Sequence, residues 1–244
     1  DAFQEVDIYG ITVPITKHNF LVRSAQELLE VVPNAFRIAM SGRPGPVLID
    51  VPKDVQNQLI TIDEGELPAP AVADPTPPLD MAAVEAAAQM INAAERPVLY
   101  LGGGVVASGA APLAVQLAEQ AGLPTTMTLM GLGAMAIDHP LSIGRLGMHG
   151  ARYTNFVLEE SDLLIVVGAR FDDRAIGRAA QFCPNAKIVH IDIDASELHK
   201  IKTAHVALHA NVQCALEALL PRVQAMPRER WLAQVDSLRS RFPM

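Results

Sequence analysis

The chain has 244 residues, half of them apolar and 19% charged, with a formal net charge of −8. That length holds one large domain, or one domain with a smaller piece, and the composition is that of a folded α/β protein, not of a disordered chain. The acidic balance argues against non-specific binding to nucleic acid or to an anionic membrane, although arginines placed locally can still neutralise a bound phosphate.

Cys183 and Cys214 form no CxxC pattern. Neither a disulfide framework nor a cysteine zinc site is expected, and a reducing compartment fits best. No apolar stretch reaches membrane-spanning length. The opening residues, DAFQEVDIYG, read neither as a signal peptide nor as a natural start, so the chain is expected to be a fragment.

Ser24 is the first N-cap candidate, and the AQELLEVVPNAFRIAM that follows has helical spacing interrupted by Pro33, which predicts two short helices. SGRPGP then turns the chain into VLIDV, an aliphatic run suited to a buried parallel strand. TIDEGELPAPAVADPTPP is acidic, rich in proline and without apolar periodicity, which places a linker at 61–79.

Beyond it the pattern alternates. DMAAVEAAAQMINAAE predicts a helix capped by Asp80, PVLYL a strand, and ASGAAPLAVQLAEQAG a helix with a glycine stop. PTTMTLM, DLLIVVG, KIVHIDI and HVALHA predict further strands; ARYTNFVLEE and VQCALEALLPRVQAM predict helices, and SELHK starts a short one. This alternation means βαβ units: an α/β fold with a doubly wound parallel sheet and helices on both faces, over residues 80–222. The tail, PRERWLAQVDSLRSRFPM at 227–244, is amphipathic and predicted helical.

Parallel sheets bind ligands outside the carboxyl ends of their strands, so the residues following each strand are the functional candidates. PVLYL is followed by Gly102, Gly103 and Gly104, whose backbone can approach another group closely. They do not fit GxGxxG with an acidic residue after the next strand, which disfavours an ordinary nicotinamide site. DLLIVV is followed by Gly168, Ala169, Arg170, Phe171, Asp172, Asp173 and Arg174, where two guanidinium groups stand ready for a phosphate or carboxylate. KIVH leads into Asp192 and Asp194, able to accept ribose or base hydrogen bonds, and LGMHG frees its backbone with glycine at both flanks of Met148 and His149. The set suits a nucleotide with a pyrophosphate and an extended flat ring better than a small substrate. No GxSxG, HExxH, Walker or EF-hand pattern is present, and the histidines lack metal spacing.

DAFQE, ITKHN, SGRPGPVLIDVPKDVQ, RPVLYLGGGV, TLMGLG, LGMHG, DLLIVVGARFDDR and AKIVHIDIDASEL occur in one order from residue 1 onward. In that order they resemble motifs of the catalytic subunits of acetohydroxyacid synthases (acetolactate synthases). GRPGPV with PKDV is shared more widely among thiamine-diphosphate enzymes; LGMHG with GARFDDR and HIDID is more specific. The resemblance implies that 1–60 is the C-terminal part of a pyrimidine-binding domain, that 80–222 is the central FAD-binding domain, and that 223–244 leads toward a third domain. It implies FAD as the cofactor of this segment, with thiamine diphosphate and magnesium only in the intact enzyme. It also implies 2-oxoacid substrates, a homodimer of catalytic subunits with a small regulatory subunit as an option, and the bacterial cytoplasm as location.

Matched position by position, the resemblance assigns FAD contacts to Arg43, to Gly102, Gly103 and Gly104, and to Thr128 and Leu129. It assigns the same role to Leu146, Gly147 and His149, to Gly168, Ala169, Arg170, Asp172 and Arg174, and to Asp192 and Ile193. Phe3, Gln4, Lys53, Met148, Asp173 and Arg174 match a substrate channel. The family usually has Gly or Ala followed by Asp-Val where this chain has Ala210-Asn211-Val212, which puts a carboxylate contact there in doubt. The family's catalytic glutamate and its GDG motif have no counterpart here, so this chain alone is expected to be inactive. A stand-alone nucleotide-binding module, or a related central domain binding ADP or NAD, are the alternatives.

Overall fold

A computed structural model describes residues 5–243 apart from positions 64 and 66. The chain divides into two compact units, Asp1–Thr76 and Pro77–Met244. No helix among the described residues is long and apolar enough to cross a membrane.

The first unit begins with α1 (Ile8–Thr12), capped by the Asp7 carboxylate, which accepts from the Gly10 N–H at 2.8 Å. Two short strands, β1 (His18–Leu21) and β2 (Val47–Asp50), pair in parallel with His18 opposite Val47, and α2 (Leu28–Met40) is the crossover between them. The expectation of two short helices is corrected here: α2 runs unbroken through Pro33. Proline in a helix interior costs about 3 kcal/mol because one backbone bond is lost. The helix face that carries the buried Ala35 packs against β2, and that tertiary contact outweighs the loss. Ser24 caps a preceding 3-10 turn, Ala25–Glu27, that feeds into α2. β1 was not expected, because HNFL has no aliphatic run to announce it. A single turn of helix, α3 (Lys53–Gln56), follows β2.

The proline-rich stretch is partly fixed to this unit. Arg37 Nη1 lies 2.7 and 2.8 Å from the two Asp74 oxygens, and the Asp74 N–H donates to Ser41 Oγ at 2.8 Å. Pro68–Ala71 face Val32, Phe36 and Met40 across a shallow apolar groove.

The second unit contains α4 (Met81–Ala93), β3 (Pro97–Leu101), α5 (Gly103–Ala107), α6 (Ala111–Ala121), β4 (Thr125–Met127) and β5 (Ser142–Arg145). It continues through α7 (Arg152–Glu160), β6 (Leu163–Val167), α8 (Asp173–Ile176), β7 (Lys187–Asp192), β8 (Val206–His209), α9 (Val212–Leu219) and α10 (Glu229–Arg241). The six strands form one parallel sheet in the order β5-β4-β3-β6-β7-β8. Every residue of β3 and β6 is buried, as strands covered on both faces must be.

Side chains alternate between two core layers. Leu99, Leu101, Leu163, Ile165 and Val167 face a layer shared with α4, α6 and α9. Val98, Tyr100, Leu164, Val166 and Ile188 face the other, shared with α7 and α10. The doubly wound α/β fold expected from the alternation is therefore present. Alanine enrichment has a packing purpose: Ala87, Ala88, Ala114, Ala118 and Ala121 are essentially inaccessible, so α4 and α6 lie close to the sheet.

Asp80 caps α4 as expected, accepting from Ala82 N at 2.9 Å and Ala83 N at 3.1 Å. Asp80→Ala should therefore lower stability by about 1 kcal/mol in a denaturant titration; an unchanged midpoint would discount the cap. Gly122 ends α6 in the left-handed conformation. β5, α5 and α8 were not expected as elements, since SIGR is polar with a glycine at φ +73° and the two helices are of one turn or little more.

Candidate functional site

Because all six strands are parallel, their carboxyl ends share one edge of the sheet. The chain leaves β3 outward through β4 and β5, then returns to β6 on the other side of β3 and proceeds through β7 and β8. The order reverses between β3 and β6, and ligands of open α/β sheets sit outside the strands at such a reversal.

At that point two glycine loops interlock. Gly102 N donates to Val167 O at 2.9 Å, Gly104 N to Gly168 O at 3.0 Å, and Gly168 N to Ile191 O at 2.8 Å. A Cβ on Gly102 would stand 2.1 Å from Gly168 O. The close approach expected of the glycine run is thus made to the loop after β6. Among the described residues the Gly103 amide, at the start of α5, alone of the three has no protein partner.

Downstream of β6, Ala169 and Phe171 are buried and Arg170 is exposed. The Ala169 carbonyl lies 2.9 Å from His190 Nε2, and the Arg170 carbonyl accepts from the Tyr100 hydroxyl at 3.0 Å. Asp172 caps α8, accepting from Arg174 N and Ala175 N, each at 3.0 Å. Asp173 and Arg174 are exposed on the same short helix. Neither Arg170 nor Arg174 has a carboxylate within ion-pair distance among the described residues.

The LGMHG loop follows β5 directly, with two strands standing between β5 and β6, yet it docks on α8. Met148 N donates to Arg174 O at 3.1 Å, and Gly147, at φ +83°, would place a Cβ 2.4 Å from that oxygen. Asn155 of α7 holds the loop, accepting from Gly147 N at 2.9 Å and donating to Gly147 O at 3.2 Å. Arg145 Nη2 donates to the His149 carbonyl at 2.9 Å. Leu146 is buried, while Met148 and His149 are exposed beside Arg174, whose Nη1 is 4.0 Å from Met148 Sδ.

Thr128 accepts from Gly131 N at 2.9 Å and so shapes the 3-10 turn Leu129–Gly131, which lies against Gly103 and exposes Leu129 and Met130. Asp192 is buried at the end of β7, its Oδ1 accepting from Asp194 N at 2.9 Å, and burial raises its carboxyl above the usual range. The Ile193 carbonyl lies 3.0 Å from His209 Nε2. The Asn211 departure is resolved as capping: its side chain accepts from Gln213 N at 2.8 Å and starts α9, which an amide oxygen does as well as a carboxylate.

The candidates after β3, β4, β5, β6 and β7 therefore gather on one edge. Arg43 and Lys53 belong to the first unit, where both are exposed. Phe3 and Gln4 lie outside the described residues. Burial pushes the Cys183 thiol up to about 12, so it offers no thiolate near neutrality. No cluster of metal-ligating side chains occurs among the described residues. Sequence reasoning passed over Tyr100, His190 and Asn155. The first two could have been noticed as polar groups inside otherwise aliphatic strands.

What this edge offers is exposed positive charge, an available amide, a buried carboxylate and exposed apolar side chains, which fits an elongated anionic ligand with a flat portion. A family model described as thiamine pyrophosphate enzyme, central domain, matches residues 84–219. The acetolactate synthase isozyme 1 large subunit of Escherichia coli (strain K12) is 59% identical over 244 residues, 100% of this chain and 42% of that protein. An acetolactate synthase large subunit of Parasynechococcus marenigrum (strain WH8102) is 46% identical, over 100% of this chain and 40% of that protein. A probable acetolactate synthase large subunit of Methanocaldococcus jannaschii is 42% identical, over 98% of this chain and 42% of that protein. The chain spans about two fifths of the length of these relatives.

Proposed function

Because the chain belongs to the family of thiamine pyrophosphate enzyme central domains, we propose that it is the FAD-holding middle segment of an acetolactate synthase large subunit. One observation carries the reading: five strand-end loops share one edge of a parallel sheet, where Arg170 and Arg174 stand exposed without carboxylate partners among the described residues.

Arg170 and Arg174 would neutralise the pyrophosphate, and the Gly103 N–H would donate to it. Asp192 would accept from hydroxyl or amine groups of the nucleoside. Leu129, which is exposed, would lie against a flat ring, and the buried Leu146 would anchor its loop, with Gly102, Gly104, Gly147, Gly168 and Ala169 keeping the backbone low enough for a ligand to sit over it. Met148, Asp173 and Arg174 would line the substrate channel of the whole enzyme. Bound in that enzyme, thiamine diphosphate with magnesium would supply the chemistry that decarboxylates pyruvate and joins the two-carbon unit to pyruvate or 2-oxobutyrate. This segment contributes binding and positioning and makes no acetolactate by itself. A homodimer, 2-oxoacid substrates and the bacterial cytoplasm belong to the same reading.

The purified chain should show flavin absorption bands, as isolated or after addition of FAD, that are released on denaturation. Arg170→Ala should weaken FAD binding by roughly tenfold to a hundredfold, since a charge-assisted contact contributes about 1.5–3 kcal/mol. A colourless protein that takes up no added FAD, or one that binds ADP and NAD as tightly as FAD, overturns the assignment.

A further inference from the structure

Tyr100 on β3, Val166 on β6 and His190 on β7 stand in a single row across the sheet, Tyr100 opposite Val166 and Val166 opposite His190. Tyr100 and His190 have no solvent exposure. Both reach the same loop from the two flanking strands, and they bind consecutive carbonyls: His190 Nε2 lies 2.9 Å from Ala169 O, and the Tyr100 hydroxyl lies 3.0 Å from Arg170 O. Phe171, the next residue, meets both rings edge-on, with centroids 6.3 Å from Tyr100 and 5.3 Å from His190.

A carbonyl can only accept, so Nε2 carries the imidazole proton. Nδ1 is buried and has no hydrogen-bond partner among the described residues. A second proton there would find no acceptor, which keeps the ring neutral. Burial lowers its pKa against the opposing pull of the Ala169 hydrogen bond, Asp192 and Glu197, with His199 acting in the same direction as burial. Burying two polar rings in an aliphatic row costs free energy that a pair of leucines would not. The two bonds formed in return fall on the peptide groups flanking the Cα of Arg170, the exposed cation nearest the strand-order reversal.

We infer that Tyr100 and His190 are positioning residues: together they fix the Ala169 and Arg170 peptide planes and so aim the Arg170 guanidinium over the carboxyl edge of the sheet. This rests on reading that edge as the FAD site.

The test uses the full chain with Tyr100→Phe, His190→Leu and His190→Gln, following FAD affinity by flavin fluorescence and hydrogen exchange of backbone amides without ligand. Tyr100→Phe removes one oxygen atom and leaves the core filled. It and His190→Leu should each weaken FAD binding about threefold to tenfold, the share of one hydrogen bond. His190→Gln should recover most of the loss, because its amide can donate to the same carbonyl. Exchange should rise over residues 168–177 in the first two variants and stay unchanged in the remaining strands. Wild-type affinity and exchange in folded Tyr100→Phe, or glutamine performing no better than leucine, would overturn the inference. If wild-type protein binds no FAD, the proposed function fails, and exchange alone decides the clamp: a rise confined to 168–177 supports it, and one spread across the unit refutes it.

Discussion

Gly102→Ala is expected to destabilise the second unit by about 3 kcal/mol or more. The added Cβ would meet Gly168 O at 2.1 Å, Ala169 Cα at 2.5 Å and Ala169 Cβ at 2.6 Å. Two of these are backbone atoms, and none is the far end of a flexible side chain. Relief requires the loops after β3 and β6 to part, which breaks the Gly102 N to Val167 O and Gly104 N to Gly168 O bonds. Overpacking alone costs about 1–3 kcal/mol and each lost bond about 1 kcal/mol more. For a unit of this size, thermal unfolding followed by circular dichroism should show a midpoint lower by roughly 6–12 °C. Gly109→Ala is the control. Its φ of +69° carries strain, but nothing stands within 4 Å of the new Cβ, so its loss should stay near 1–2 kcal/mol. Gly102 is itself extended, at φ −111°, so a Gly102→Ala shift no larger than that of Gly109→Ala would show that the close approach does not govern the junction.

Trp231→Ala should cost a similar amount, about 3–5 kcal/mol. Trp231 is 2% exposed and donates from Nε1 to the Pro97 carbonyl at 2.9 Å, fastening α10 to the start of β3. Val235 is buried one turn further along the helix, and Arg239 donates from Nη2 to the Ser142 carbonyl at 3.0 Å at the start of β5. Losing the indole leaves a cavity, and the Pro97 carbonyl loses its indole donor. The thermal midpoint should fall by roughly 6–20 °C, at about 2–4 °C for each kcal/mol. Trp231 is the only tryptophan in the chain. In the unsubstituted protein its emission therefore follows α10 alone. It should shift together with the circular dichroism signal, because α10 shares a core layer with the sheet. A midpoint unchanged in the variant, or emission that shifts well before the sheet unfolds, would show that α10 is a loosely held appendage.

Much of the architecture was legible from residue order. LLIVV and PVLYL are short, largely aliphatic runs of the kind that suits strands covered on both faces, and both are wholly buried. Asp80 and Gly122 mark helix ends by chemistry that acts within a few residues. The rule that parallel sheets bind at their carboxyl ends turned a list of strands into a list of candidate loops. His149, Arg170 and Asp192 were singled out in this way, and they do lie along one edge. Tyr100 and His190 were not, because a buried polar residue on a strand gives no sign in sequence of the carbonyl it reaches.

By itself, the sequence determined the alternation of strands and helices, the parallel sense of the sheet and the places where glycine and charge interrupt the apolar pattern. These follow from side-chain periodicity and local capping, which depend on near neighbours. Only the tertiary structure decided that α2 would continue through Pro33, that SIGR would join the sheet beside β4, and that LGMHG would dock on α8. It likewise decided that Arg228, held at φ 44°, would reach the Ile91, Ala94 and Ala121 carbonyls at the ends of α4 and α6. Each of these outcomes depends on groups distant in the chain, whose mutual approach is set by packing. A glycine announces that something will come close; what comes close is settled only when the sheet has formed.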